Sequence, residues 1–284
     1  MEGLPLAIDT VLFQLGPFHI YAYGFMLSIG YGAGIILAMR EARRRELAID
    51  LVLDYLICVF IAGLLMARFV FVIRELPYFM AFPEELLNIG NGLSPMGAVA
   101  GFGLVTAWYI YRCAWDYRVL ADVLSAPLAM GLAITSIGTS TLGRVTNVPW
   151  GIPWDGLRYH PLGVYQGIGY YLSFALVWSL RRKARYPGHM ALTAVFCLGL
   201  TQFITGMFAY EAVMFNLRQL VGLLAMGLAL LMAREKSVTS ADEEYMEHYR
   251  ALGPSKAPWY RRMISWSWGL LLLLLVYYYR ATSI

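Results

Sequence analysis

Charged residues are scarce in this chain, making up only 14% of its 284 residues. A soluble domain carries roughly 25%. Hydrophobic residues account for 60%, and apolar runs recur along the sequence. Each run is about 20 residues long, which is enough to cross a hydrocarbon core of about 30 Å. The composition excludes an ordinary soluble domain and predicts a polytopic membrane protein.

Cysteine and histidine are also rare, with three and four residues respectively. Cys58, Cys113 and Cys197 are widely spaced and form no C-x-x-C pair, which excludes a zinc site and a disulfide framework of the usual patterns. We therefore expect no metal and no cofactor. The N-terminus has no basic segment and no small-residue cleavage site, so we predict an uncleaved signal-anchor rather than a cleaved signal peptide.

The apolar runs predict an all-α bundle with about eight transmembrane helices. Their predicted ranges are 17–39, 51–73, 93–111, 120–142, 163–180, 189–209, 218–233 and 263–279. We divide the chain into a seven-span domain (1–233), a polar linker (234–262) and a segment with one extra span (263–284). In the linker we predict a short helix from Ser240 to Leu252, capped by Ser240 with Glu243 three positions on.

The basic residues predict the orientation of these helices. Sixteen of the 22 lysine and arginine residues follow the first, third, fifth and seventh spans (four, two, four and six). The positive-inside rule places these segments in the cytoplasm. Both termini and the loops 74–92, 143–162 and 210–217 then lie outside. We attribute the net charge of +4 to basic residues that flank the membrane spans. We expect no nucleic-acid partner.

Six stretches in the same order resemble the prolipoprotein diacylglyceryl transferases, bacterial inner-membrane enzymes that move diacylglycerol from phosphatidylglycerol onto a lipoprotein cysteine. "FQLGPFHIYAYGFML" resembles the family's "F-x-(I/L)-G-P-(x)n-W-Y-G-L-M", and "GNGLSPMGAVAG" its "G-G-M-S-F-H-G-G-x-x-G". "ADVLSAPLAMGL" is similar to "x-D-x-x-A-P-x-x-P-x-G", and "VPWGIPW" to "L-P-W-G-V-V-F". "HPLGVYQG" resembles "H-P-S-Q-L-Y-E", and "LRQL" a final "M-G-Q-x-L". The matches run from about residue 8 to about residue 233.

Many polar residues of the family's pattern are replaced here. The histidine position is Met96. Aligned without a gap, "G-R-x-G-N-F-x-N-G-E" covers "TSIGTSTLGR" (135–144), while an alternative gapped alignment keeps Arg144 and Asn147. The first alignment puts Ser136 at the arginine, Thr139 and Leu142 at the asparagines and Arg144 at the glutamate; elsewhere Gln202 and Ala209 replace arginines, and Gly206 and Gln166 replace glutamates.

The resemblance also implies site residues, because Tyr23, His160, Tyr165 and Gln219 match the family's pattern. Tyr23, His160 and Arg144 are the candidate catalytic residues. Arg68, Arg144, Arg158, Tyr23, Tyr165 and Gln219 are the candidate lipid-binding residues. The expected ligand is a glycerophospholipid such as phosphatidylglycerol.

Each candidate has a structural alternative. Arg144 and Arg158 could hold a phosphate, as guanidinium forks do well. The loop could instead be solvated, with Asp155 and Arg158 paired and Trp150 and Trp154 anchored at the interface. Arg68, within the second span, could bind a lipid phosphate, satisfy buried carbonyls or extend to the interface. Tyr23 could be an interfacial tyrosine.

Two functional hypotheses follow. The first is a divergent transferase that binds glycerophospholipid at the outer leaflet. The second is a catalytically silent relative that serves as a subunit of a membrane complex, with a protein partner bound through the last span. A transporter is a weaker third reading, since the sequence shows no inverted repeat.

Overall fold

The computed structural model describes residues 11–15, 18–83, 86, 92–113, 116–139, 141–209, 216–235 and 238–251. The chain divides into two compact units. One contains Arg45–Leu120, and the other contains the residues up to Arg44 together with those from Ala121 onward. The predicted eighth span, 263–279, lies outside the described residues.

Helices dominate both units. They are α1 (Ala22–Arg44), α2 (Ile49–Arg74), α3 (Leu76–Ala81), α4 (Pro95–Cys113), α5 (Tyr117–Gly138), α6 (Leu162–Leu180), α7 (His189–Gly206), α8 (Leu217–Glu235) and α9 (Ser240–Ala251). Within the described residues, five are long and apolar enough to cross a membrane: α1, α2, α5, α7 and α8. The predicted all-α polytopic architecture is confirmed.

Helices α4 and α6 fall at the predicted third and fifth spans, with 19 residues each. At 1.5 Å per residue, each is about 28 Å long. They are not among the five helices named above because their tyrosine, tryptophan and glycine residues lower the mean hydropathy. Their length is that of a membrane span, and their place in the sequence fits the predicted alternation.

Two small sheets replace parts of the predicted helices and loops. Strands β1 (Val11–Leu15) and β2 (Phe18–Tyr21) pair antiparallel, so α1 begins at Ala22 rather than at residue 17. Aromatic and β-branched residues in this stretch favour strands. Helix α5 ends at Gly138 rather than 142, and α7 at Gly206 rather than 209. The end of α7 was predicted too late because the apolar residues Met207, Phe208 and Ala209 follow its last turn. The end of α5 was predicted too late although the residue after Gly138 is the polar Thr139.

The second sheet occupies the segment that we had treated as a loop. Strands β3 (Leu142–Val145), β4 (Ile152–Trp154) and β5 (Leu157–Pro161) are antiparallel, in the order β3-β5-β4. Asp155 and Gly156 connect β4 to β5 with φ of 47° and 74°. An Asp-Gly pair with positive φ at both residues is typical of a type I′ hairpin turn. Asp155 is therefore a turn residue.

Small residues let the helices of the larger unit approach closely. A Cβ on Gly169 of α6 would clash with the Thr201 side chain of α7. A Cβ on Gly199 of α7 would lie 2.8 Å from the carbonyl oxygen of Gly222 in α8. Small residues at helix contacts are the usual means of tight packing in membranes. These contacts place α6, α7 and α8 side by side.

In the smaller unit, α2 and α4 pack together through Gly97 and Gly101. A Cβ on Gly97 would clash with the Met66 carbonyl, and one on Gly101 would lie 2.5 Å from that of Ala62. The Tyr55 hydroxyl forms a 2.9 Å hydrogen bond with Thr106 across the pair. The close backbone contact thus comes with a polar link between the helices.

The polar linker contains the predicted helix, α9, but its cap lies one residue earlier than predicted. The Asp242 N–H donates to the Thr239 hydroxyl over 3.2 Å, and the Thr239 N–H donates to the Asp242 carboxylate over 3.4 Å. This reciprocal pattern is a capping box with Thr239 at the N-cap. Met246 of α9 is fully buried in the core that α5, α6 and α7 form.

Asp122 of α5 accepts hydrogen bonds from the start of α7 and so joins the two helices. Its carboxylate accepts 2.9 Å hydrogen bonds from the N–H groups of Gly188 and Ala191, and its side chain is buried. Gly188 has a φ of 93°, which a residue with a Cβ rarely adopts. Asp122 therefore caps α7 from a neighbouring helix.

Asp122→Ala should lower the free energy of unfolding by about 1–3 kcal/mol, because two N–H groups at the start of α7 lose their acceptor. Thermal unfolding in detergent measures this loss. Glu75→Ala is the control, since Glu75 makes an exposed pair with Arg74 at 3.5 Å and such pairs contribute roughly 0–1 kcal/mol. Equal losses in the two variants would contradict the role given to Asp122.

Candidate functional site

A cavity of about 640 Å³ lies along α6 and α7 and reaches the segment of the second sheet. Its volume falls within the roughly 300–1,000 Å³ typical of ligand sites. The lining is mainly apolar, with Leu172 and Leu176 from α6 and Leu200 and Ile204 from α7. These four side chains are also substantially exposed, so the cavity is open along the apolar flank of the helices.

The hydroxyl groups in the wall are already bonded to their own helices. Ser173 donates to the Gly169 carbonyl over 2.8 Å, Thr201 to that of Cys197 over 2.9 Å and Thr205 to that of Thr201 over 2.8 Å. A hydroxyl that donates to the preceding turn presents little polarity to a ligand. Most of the cavity is thus suited to hydrocarbon.

One end of the cavity is polar and contains two residues that match the family's pattern. His160 Nδ1 lies 3.0 Å from the Tyr165 hydroxyl, and Trp150 Nε1 donates to the same hydroxyl over 2.9 Å. An indole N–H only donates, so the Tyr165 oxygen accepts from Trp150. Its hydrogen can then go to Nδ1 of a neutral His160, which leaves the His160 proton on Nε2.

Burial lowers the pKa of His160 below its ordinary value of 6.5. The ring is therefore neutral at pH 7 and available to take up a proton. It also lies 5.0 Å from the Phe208 ring, centroid to centroid, and Tyr165 lies 5.4 Å from that ring. The three rings close this end of the cavity.

Gly143 of β3 lets these rings approach each other. A Cβ at this position would clash with the Phe208 carbonyl and would lie 3.0 Å from the His160 Cβ. Only glycine fits between the strand that carries His160 and the segment after α7. The sheet thus positions the polar end of the cavity.

Arg144 connects the same two segments. Its backbone N–H donates to the Phe208 carbonyl and its Nε to the Ala209 carbonyl, each over 2.9 Å. Arg144 does not line the cavity. Its catalytic and lipid-binding roles remain predictions, and the contacts present here are structural ones.

Arg158 also has a structural contact. One terminal nitrogen donates to the Pro149 carbonyl over 2.7 Å, which ties β5 to the start of the "PWG" turn. In the described part of the chain no ion pair joins Arg158 to Asp155. The alternative in which Arg158 pairs with Asp155 is therefore wrong, because Asp155 lies in the hairpin turn.

Arg68 belongs to the smaller unit and bonds to backbone carbonyls. Its Nε and one terminal nitrogen donate to the Leu86 carbonyl over 3.2 and 3.1 Å, and the other donates to that of Gly92 over 3.0 Å. The guanidinium also lies 5.0 Å from the Phe79 ring centroid. These contacts resemble the structural alternative in that Arg68 bonds to backbone carbonyls, but the Leu86 carbonyl is exposed rather than buried. Its lipid role stays a prediction.

Tyr23 and Gln219 do not line the cavity either. Tyr23 lies in the first turn of α1, half exposed, where its backbone packs against Gly138 of α5. The Gln219 side-chain oxygen accepts from the Asn216 N–H over 3.1 Å, and the Asn216 side chain accepts from the Gln219 N–H over 2.9 Å. This pair caps α8.

In the ungapped alignment, Ser136 and Thr139 stand at an arginine and an asparagine of the family's pattern. Their hydroxyls donate to the carbonyls of Leu132 and Ser136, each over 2.7 Å. Among the described residues, no group of three His, Cys, Asp or Glu side chains could hold a metal ion. The polar groups at the sheet end of the cavity are those of His160, Tyr165 and Trp150.

Sequence reasoning missed three features of the site. Trp150 was assigned to the interface, although it bonds to Tyr165. Phe208 was placed inside a span, although it follows the end of α7. The small residues of the α6–α7 contact were not identified. The signal for the first was the "PWG" motif directly before β4, which we did not connect with "HPLGVYQG".

Known proteins with similar sequences share one description. The sequence model of the family called prolipoprotein diacylglyceryl transferase matches residues 10–234. A phosphatidylglycerol–prolipoprotein diacylglyceryl transferase of Clostridioides difficile is 30% identical over 203 residues, covering 69% of this chain and 81% of the relative. The enzymes of the same name from Finegoldia magna and Bacillus cereus (strain Q1) are each 25% identical, covering 84% and 85% of this chain and 100% and 97% of the relatives.

His160→Gln should make the protein less sensitive to acid. Below pH 6.5 the unfolded chain protonates this histidine while the folded chain, with its lower pKa, does not. The free energy of unfolding of the parent should therefore fall as the pH drops from 6.5 toward that lower pKa. Glutamine removes this contribution. Thermal unfolding at a series of pH values measures it, with the exposed His248→Gln as control; an unchanged pH profile in His160→Gln would contradict the assignment.

Proposed function

The chain belongs to the prolipoprotein diacylglyceryl transferase family, and from this premise we propose that it binds a glycerophospholipid at the outer leaflet of a bacterial cytoplasmic membrane. The names of its relatives state that they act on phosphatidylglycerol. We carry this lipid over to the present chain as the expected ligand. The proposed outer-leaflet position follows from the predicted orientation.

One observation supports this proposal above the others. Two residues that match the family's pattern, His160 and Tyr165, lie together at the polar end of a cavity of about 640 Å³. The rest of that cavity is apolar. A lipid has the same division, with a polar headgroup at one end and hydrocarbon at the other. The cavity thus has the chemistry of a lipid site.

The open flank of the cavity suggests how a lipid enters. Leu172, Leu176, Leu200 and Ile204 line the cavity and are exposed along the helices. A lipid in the bilayer could move sideways into the groove without leaving hydrocarbon. In this arrangement an acyl chain lies along α6 and α7, while the headgroup end faces the second sheet.

Transfer to a thiol needs two further functions. The cysteine sulfur must bond to the glycerol carbon while the bond from that carbon to the phosphate oxygen breaks, and the thiol proton must go to a base. His160 can supply the base, since it is neutral at pH 7. A cation usually stabilises the departing glycerol phosphate.

The second candidate function is a catalytically silent subunit or lipid-binding scaffold. Among the described residues that line the cavity, none is Arg, Lys, Asp or Glu. Ser136, Gln202 and Ala209 occupy positions where the family's pattern has arginine. Without these charges the leaving phosphate lacks its usual stabilisation. We expect such a subunit to contact its partner through the predicted additional span, 263–279.

Filling the cavity should reduce lipid binding. Leu200→Trp places an indole in the cavity, so phosphatidylglycerol retained after purification should fall at least severalfold, as quantified by mass spectrometry. Leu223→Trp is the matched control, because Leu223 is an exposed leucine of α8 that does not line the cavity. If the two variants retain the same amount of lipid as the parent, the cavity is not the lipid site.

A complementation experiment separates the two candidate functions. In cells depleted of their own diacylglyceryl transferase, this protein should fail to restore lipoprotein lipidation, because Met96, Ser136, Arg144 and Ala209 replace the family's residues. Lipidation is read from the mobility and mass of a reporter lipoprotein. Full rescue, abolished by His160→Ala, would instead establish transfer and exclude the silent subunit.

A further inference from the structure

Trp150 lies in a turn that is bonded on both sides. Before it, the Pro149 carbonyl accepts a 2.7 Å hydrogen bond from Arg158 of β5. After it, the Gly151 N–H donates to the Val148 carbonyl over 3.1 Å. A Cβ on Gly151 would lie only 3.1 Å from the Arg158 Cβ, so a glycine lets the turn pack closely on β5. The "PWG" segment thus holds the Trp150 backbone against the second sheet.

The Trp150 indole connects this turn to Tyr165 and, through it, to His160. The distance is 2.9 Å from Trp150 Nε1 to the Tyr165 oxygen and 3.0 Å from that oxygen to His160 Nδ1. All three side chains line the cavity. An indole N–H donates and never accepts. One acceptor position of the Tyr165 oxygen is therefore taken, and the Tyr165 hydrogen has Nδ1 as its acceptor among the described residues.

This order of donors decides how His160 acts as a base. In a neutral imidazole only one ring nitrogen has a free lone pair. With the ring hydrogen on Nε2, that lone pair is at Nδ1, and the Tyr165 hydroxyl already donates to it. A hydroxyl oxygen has two acceptor lone pairs, and Trp150 uses one of them. A donor in the cavity therefore meets the base at the second lone pair of the Tyr165 oxygen.

We propose that the Tyr165 oxygen takes up a proton from a thiol or hydroxyl in the cavity, that Tyr165 passes its own proton to His160 Nδ1, and that Trp150 positions Tyr165 for this step. The inference rests on the proposed function, in which transfer to a thiol needs a base. It names the route by which that base is reached.

The proton transfer is balanced. The thiol proton bonds to the Tyr165 oxygen while the hydrogen that this oxygen carried moves to His160 Nδ1. The sulfur keeps its electron pair as a thiolate, the reactive form of a cysteine, and His160 becomes an imidazolium with hydrogen on both nitrogens. The Trp150 N–H stabilises the oxygen while it exchanges one proton for another.

The hydrogen bond at Nδ1 is tested by ¹⁵N NMR on the full-length protein with labelled histidines. The chain has four histidines, and the signals that disappear in His160→Gln are those of His160. An unprotonated imidazole nitrogen changes its resonance when it loses a hydrogen-bond donor. Tyr165→Phe should therefore move the Nδ1 resonance of His160 toward that of an imidazole nitrogen without a donor.

Trp150→Phe tests the positioning role, because it keeps a ring and removes the N–H. It should move the Nδ1 resonance in the same direction by at least about a tenth of the Tyr165→Phe shift, since neighbouring hydrogen bonds strengthen each other by roughly 10–30%. Combined with Tyr165→Phe it should add nothing, because Trp150 acts through the hydroxyl. Trp154→Phe is the matched control, because Trp154 lies in the same sheet and does not line the cavity. Thermal unfolding shows that each variant is folded.

A probe in the cavity tests the place of Tyr165 on the route without a substitution in the parent. Dodecanol carries a hydroxyl donor on an apolar chain, and dodecane is a chain of the same length without the donor. Dodecanol should move the Nδ1 resonance of the parent, because its hydroxyl donates to the Tyr165 oxygen. It should leave the resonance of Tyr165→Phe in place, and dodecane should move neither.

Three results would overturn the proposal. An unchanged Nδ1 resonance in Tyr165→Phe would show that no hydrogen bond reaches this nitrogen. A Trp150→Phe effect that persists in the Tyr165→Phe background, or that Trp154→Phe reproduces, would show that Trp150 does not act through Tyr165. A dodecanol effect that is absent in the parent, or equal in Tyr165→Phe, would exclude Tyr165 as the acceptor. These measurements contain no phospholipid, so their outcome is independent of the lipid retention that tests the proposed function.

Discussion

The close approach of α6 and α7 at Gly169 and Thr201 is the contact on which the rest of the site depends. It brings together two helices that form most of the cavity wall, and both residues line the cavity. In lipid, apolar surfaces give helices little reason to associate, so close packing of small residues decides which faces meet. A larger side chain at Gly169 would separate the two helices that form the hydrocarbon wall.

The second sheet positions the polar end of the cavity. Pairing β3, β4 and β5 gives the backbone N–H and C=O groups of this segment hydrogen-bond partners. The same pairing places His160 beside Tyr165, and Gly143 keeps Phe208 close to both. Arg144 and Arg158 donate to carbonyls of neighbouring segments. The charged residues that first suggested a phosphate site thus hold the sheet in place, while the uncharged ring pair faces the cavity.

The long helices could be predicted from the sequence because hydropathy alone decides them, as for α2 and α8. His160 and Tyr165 could be named because they stand in one short motif. The hairpin was missed although its Asp-Gly signal was present, because we read the whole stretch as a decorated loop. The role of Arg68 depended on where the Leu86 and Gly92 carbonyls fall. The contact of Gly199 with Gly222 depends on the register of two antiparallel helices, and hydropathy carries no information about register.

The proposal that a phospholipid occupies the α6–α7 cavity can be tested by photo-crosslinking in nanodiscs. The probe is a phosphatidylglycerol that carries a diazirine in one acyl chain, and the labelled residues are found by peptide mapping with mass spectrometry. We expect labels concentrated on the cavity-lining residues of Leu162–Leu180 and His189–Gly206, reduced by excess unlabelled phosphatidylglycerol. Labelling spread equally over the exposed apolar residues of Ile49–Arg74, and unaffected by that excess, would contradict it.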